Sequence, residues 1–175
     1  MFLAGSLPRG VRVQLPSGRA GRQTMSQHKA TIRWRSDEGD FVRGKYSREH
    51  TWSFDGGVTI PASPSPSVVR PPYSNPEAVD PEEAFVAAIS SCHMLTFLYL
   101  ASQRGYDVGA YDDEAVGEMT KNEHGVPWVS AVVLSPRIEY RGVRAPTESE
   151  ERELHEQAHH GCFISNSVKT RISIV

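Results

Sequence analysis

The stretch 80-DPEEAFVAAISSCHMLTFLYLASQRG-105 combines the clearest helix start of the chain, its longest uncharged run and one of its two cysteines. Asp80, Pro81, Glu82 and Glu83 read as N-cap, N1, N2 and N3, with two carboxylates set against the positive end of the helix dipole. From Ala84 to Ala101 no residue carries a formal charge. Phe85, Ala88, Ile89, Cys92, Leu95, Thr96 and Tyr99 recur at i, i+3, i+4 spacing, yet Ala87, Met94 and Leu98 on the opposite face are apolar too. The pattern predicts a helix enclosed on all sides and stopped at Gly105. Its length reaches the lower limit for a membrane span, but Ser90, Ser91, His93 and Thr96 interrupt it and no second such segment exists to pack against. A long central core helix, not a membrane helix, is the reading.

The bulk properties agree. A chain of 175 residues fits one domain, long enough to bury roughly 70% of its unfolded surface. A net charge of -2 gives no electrostatic case for binding nucleic acid or acidic membranes. Two cysteines, at 92 and 162, with no CxxC, suggest neither a disulfide framework nor a structural zinc site, and fit a cytosolic protein with inert or reactive thiols.

Outward from the helix, residues 1–24 hold four arginines and no acidic residue, unlike everything after them. They read as a disordered extension or a misassigned start, with Met25 opening a single domain over 25–175. Between Ala30 and Ile60 the period is that of strands: Ile32 and Trp34, then Val42 and Tyr46, then Trp52 and Phe54, with a hairpin turn at Asp55-Gly56-Gly57. Residues 61–76 hold six prolines around Arg70 and read as a stiff linker feeding the helix. Beyond Gly105 strands return over Tyr111–Met119, then after a turn at Asn122–Gly125 over Val126–Leu134, with a shorter piece through Ile138 and Tyr140. Thr147 with Glu150 forms a capping box for a second, surface helix ending near His160, with Leu154 and Ala158 on its one apolar face. Arg171–Val175 closes as a strand. The order predicts an α+β fold with antiparallel sheets around the central helix.

Three groupings could carry chemistry. A lone cysteine is usually a small core hydrophobe, but Cys162 follows a helix stop where free amide groups could stabilise a thiolate, and Cys92 is the one reactive group in an inert helix. A thiolate in an apolar site needs a cation beside it. Arg70 is the nearest upstream candidate, and Glu82 is available to hold that arginine. The second grouping, His155-Glu156-Gln157-Ala158-His159, matches the HExxH zinc-hydrolase pattern on a helix. No Asp or Glu follows Glu156, however, and Cys162 and Ser165 stand where the extended motif needs glycine and histidine. The third is His93, which points about 100° away from Cys92 and so is no simple base for that thiol; it reads as a satisfied core histidine.

Asp80-Pro81-Glu82-Glu83-Ala84-Phe85, followed by Ala87-Ala88 and Ser91-Cys92, resembles the central-helix motif of the OsmC/Ohr family, the osmotically inducible and organic hydroperoxide resistance proteins. Gly161-Cys162, leading through Ile164, Ser165 and Val168 to Lys169, is similar to the family's distal cysteine segment. The resemblance covers 27–175 and implies a thiol peroxidase acting on organic hydroperoxides. By position it makes Cys92 the peroxidatic cysteine and Cys162 the resolving one, with Glu82 orienting a catalytic arginine, for which Arg70 matches the OsmC branch. His93 departs from the aromatic residue expected after the first cysteine. The resemblance further implies no bound cofactor, an external dithiol reductant, a cytoplasmic location and an intertwined homodimer.

Helix geometry adds a constraint. Ten residues along a straight helix place Glu82 about 15 Å from Cys92 and roughly 80° round the axis, too far for one guanidinium to touch both. Either the helix breaks at Ala87–Ser91, or a second chain completes the site. Two readings from other classes compete: a zinc hydrolase built on His155, Glu156 and His159, and a non-enzymatic binding protein with a pocket lined by Phe85, Met94, Phe97 and Trp128.

Overall fold

The computed structural model describes residues 26–36 and 39–175, so the extension 1–24 and the start at Met25 lie outside the described residues. Helix α1 spans Pro81–Gln103, and its start follows the capping chemistry: Asp80 accepts the Glu83 amide at 2.8 Å while Glu83 accepts the Asp80 amide at 3.1 Å. Gly105, at φ 74°, takes the left-handed conformation that ends the helix and turns the chain away.

One line of α1 is buried, Ile89, His93, Phe97 and Ala101, at a spacing of four. Ile89 packs with Val132 and Leu134, and Phe97 and Ala101 with Tyr106, Leu154 and Ala158, so a single helix joins two small cores. The expected enclosure on all sides is not met among the described residues. Ala88, Ser91, Leu95 and Tyr99 form an open stripe, with Leu95 61% and Tyr99 63% exposed. The reason is one of supply: a helix apolar all round needs partners all round, and the described residues provide them on one side. By length and composition α1 could cross a membrane, yet its buried line packs against protein.

Strands β1 (Ala30–Arg33), β2 (His50–Phe54) and β3 (Thr59–Ala62) form an antiparallel sheet in chain order. The Val42–Tyr46 piece is not a strand. It is a turn closed by paired backbone bonds between Asp40 and Lys45, over which Trp34, Phe41 and Tyr46 pack ring against ring at 4.7 to 5.6 Å. The aromatic spacing there reflects a cluster, not a pleat. The proline-rich segment is no free linker either: Ala62 and Ser63 are fully buried, and Ser63 Oγ accepts the Asn75 amide at 2.8 Å.

The run over Tyr111–Met119 divides into β4 (Asp107–Asp113) and β5 (Val116–Lys121), which belong to different sheets. β4 pairs antiparallel with β7 (Pro136–Arg141), while β5 pairs antiparallel with β6 (Pro127–Leu134). The last strand, β8 (Arg171–Ile174), lies parallel to β6, so the sheets are not all antiparallel. A parallel pair needs a crossover, and β7 with helix α2 (Glu148–Gly161) supplies it. α2 carries the expected capping box at Thr147 and buries Leu154 and Ala158 completely.

Candidate active site

The end of α2 is brought tightly against the middle of α1. A Cβ at Gly161 would sit 3.1 Å from the Thr96 methyl, so glycine here permits the approach that places the next residue, Cys162, beside Cys92. Both are free thiols, Cys162 fully buried and Cys92 partly so. The turn after α2 serves them in succession: the Ile164 amide donates to Cys92 Sγ at 3.5 Å and the Ser165 amide to Cys162 Sγ at 3.4 Å. The free amides expected past the helix stop are therefore present, directed at both sulfurs.

The two thiols are close enough to shift each other's ionisation, and in opposite senses. Burial pushes the Cys92 thiol up and Cys162 adds to it, against the pull of the Ile164 amide. Burial acts the same way on Cys162, but the interaction with Cys92 and hydrogen bonding from Ser165 outweigh it and bring that thiol below its ordinary value. Ionising either thiol therefore disfavours ionising the other, and the pair titrates as a unit. Among the described residues no guanidinium acts on the Cys92 thiol.

Glu82 and Arg70 are not brought to the thiols. α1 runs unbroken through Ala87–Ser91, so the separation of Glu82 from Cys92 along the helix stands. Glu82 instead lines a groove of about 820 Å³ between the Ser65–Val68 segment, the first half of α1 and β5. Arg70 is exposed and, among the described residues, forms no ion pair.

His155 faces across to α1. Its Nδ1 lies 3.0 Å from His93 Nε2, and its ring stacks between His93 and Phe97, with centroids 5.3 and 4.5 Å away. Among the described residues no group of three His, Cys, Asp or Glu side chains converges to hold a metal ion. The pocket expected from Phe85, Met94, Phe97 and Trp128 does not form either. Phe97 is enclosed in the core, Met94 lines the large groove, and Phe85 and Trp128 flank a separate shallow one. His93 is core, as read, but half satisfied: its Nδ1 is buried without a partner.

Sequence reasoning missed two contacts. Asp113 accepts a short bond from the Ser90 hydroxyl and the Ser135 amide at 2.7 Å, tying α1 to the strand pair around it. The His93–His155 contact joins residues 62 apart. Its only signal was His93, the odd polar group on the buried line of α1.

A family model described as OsmC-like protein matches residues 74–175, a segment that includes Glu82, Cys92 and Cys162 but not Arg70. No curated protein matches the chain. An OsmC-like protein of unknown function from Vibrio cholerae is 48% identical, with a TM-score of 0.84 over 86% of this chain and 99% of its own. At 14% identity and a TM-score of 0.63, an organic hydroperoxide resistance protein OsmC from Legionella pneumophila shares the fold over 87% of this chain and 98% of its own. One from Elizabethkingia anophelis does so at 20% identity and a TM-score of 0.64, over 87% and 97%. With the paired cysteines on the capped central helix and the turn after α2, these matches establish that the chain belongs to the OsmC family.

Proposed function

We propose that the protein is a thiol peroxidase of the OsmC family that reduces organic hydroperoxides through Cys92 and Cys162. The observation carrying this reading is the side-by-side placement of two free thiols, each receiving an amide from one turn, in a chain of this family. The Cys92 thiolate attacks the terminal peroxide oxygen. An S–O bond forms, the O–O bond breaks, and the alkoxide leaves as alcohol after taking a proton. The Cys162 thiolate then attacks the Cys92 sulfenic acid, forming the disulfide and releasing water. An external dithiol in a reducing cytosol reopens the bond by exchange, leaving two thiols and an oxidised reductant; no bound cofactor is required.

This sequence needs the charge on Cys92, whose thiol burial and Cys162 push up. A guanidinium beside Cys92 would favour the anion. We assign this role to Arg70 of a second copy in an intertwined homodimer. Three features support the assignment: the open α1 stripe of Leu95 and Tyr99, the groove holding Glu82 without a cation in its lining, and the distance one helix imposes between Glu82 and Cys92.

The test mixes reduced protein with an organic hydroperoxide or with hydrogen peroxide and counts remaining thiols. Wild type is expected to lose both thiols rapidly to the organic peroxide, while Cys92→Ser keeps its single thiol. A Cys92→Ser protein that loses its thiol at the wild-type rate, or a wild type that keeps both, overturns the reading.

A further inference from the structure

The mechanism above makes no use of the two histidines enclosed between α1 and α2. His93 is fully buried, and its Nε2 faces His155 Nδ1 at 3.0 Å with the two rings 8° from parallel. His155 is covered by Phe97 on one side and reaches the cleft along α2 on the other, where Glu151, His159 and Val175 also lie. Two neutral imidazoles can share one proton across such a contact, one ring donating and the other accepting. Two protonated rings cannot, because both nitrogens would then donate at each other.

The groups facing the pair offer little relief for added charge. From β4 come Asp113, whose carboxylate already accepts the Ser90 hydroxyl and the Ser135 amide, and Tyr111, whose hydroxyl is buried without a partner. From α2 come His159, also with an unpartnered buried Nδ1, and Glu151, which accepts the Tyr140 hydroxyl of β7 at 2.8 Å. Glu148, Arg152, Glu156 and His160 line the same cleft. Burial and the neighbouring histidines hold His93 down at about 4, and burial lowers His155 as well. Besides this contact α2 is held by its two fully buried residues, Leu154 and Ala158, by Glu153, which accepts from Arg104 at the end of α1 at 2.8 and 3.3 Å, and by Glu151.

We propose that the His93–His155 contact is an acid-released clasp: proton uptake from the α2 cleft separates the rings, loosens α2 from α1 and draws Cys162 away from Cys92. The consequence for function rests on the peroxidase reading: the protein would lose disulfide closure in mildly acidic surroundings while the thiols themselves stay intact. Opening should begin at α2, because the β5-β6-β8 sheet packs on the other core, around Ile89, Val132 and Leu134.

Hydrogen exchange by mass spectrometry at about pH 7.5 and about pH 5, corrected for the intrinsic rate at each pH, tests the clasp with no peroxide present. In wild type, protection of α2 amides is expected to fall about tenfold or more on acidification, with β6 and β8 unchanged. The His93→Phe/His155→Phe double variant, which keeps two rings against Phe97 but cannot be protonated, should show a flat profile; His93→Phe alone, with a fall clearly shallower than wild type, serves if the double variant fails to fold. Unchanged α2 protection in wild type overturns the proposal. So does a loss shared by β6 and β8, or a wild-type-like fall in the phenylalanine variant. Thiol counting at neutral pH judges the peroxidase reading separately, so either can fail alone.

Discussion

The two helices use apolar residues in opposite ways. α2 is a polar helix that buries the little it has, Leu154 and Ala158, entirely. α1 is apolar on every side and buries one line of four residues, leaving Leu95 and Tyr99 open to solvent in the single chain. An amphipathic helix is finished by one contact, whereas a helix without a polar face is half finished until something covers the rest. The contrast teaches which face of the molecule its own packing completes and which it leaves open. The two cysteines sit where the finished and unfinished helices meet.

The largest expected effect breaks the comparison at that junction: Cys92→Ser should reduce organic hydroperoxide consumption about a thousandfold or more, to background, in a coupled turnover assay. Next, Leu95→Asp on the open stripe should convert a dimer to monomers in sedimentation velocity and lower peroxidase activity together with it. A monomer of full activity would sink the composite site. On the finished side, Leu154→Ala should cost about 2–5 kcal/mol in urea unfolding, the range for a fully buried leucine.

Acid offers a subtler separation. His93, held down to about 4 from 6.5, is neutral in the fold and charged in the unfolded chain below its ordinary value. The unfolded state therefore binds more protons, so this stability is complete above about pH 6.5 and is lost as pH falls towards 4. The loss is about 3 kcal/mol at most, read as a falling urea midpoint that His93→Phe flattens. Smallest is the α1 N-cap, where Asp80→Ala should cost about 1 kcal/mol by the same unfolding measurement.

Much of the fold was legible because its signals are local. Asp80 and Thr147 each cap a helix through a residue three positions on, and Gly105 stops a helix by its own conformation. Misreadings arose where one pattern serves two structures. Val42 and Tyr46 have an even spacing that suits a strand, yet they lie on a turn, over which Tyr46 packs with Trp34 and Phe41. The apparent single run Tyr111–Met119 is shared between two sheets, because alternation records which side faces inward and not which neighbour lies alongside.

Residue order alone, then, was enough for the helix ends and the α+β class, and for nominating Cys92 and Cys162 as candidates, because capping, periodicity and motif spacing act within a few residues of chain. Packing alone could turn the β6–β8 pair parallel, seat the Ile164 amide on Cys92 and set His93 against His155. Those contacts join positions 40 to 72 apart, through chain reversals whose directions no local preference specifies.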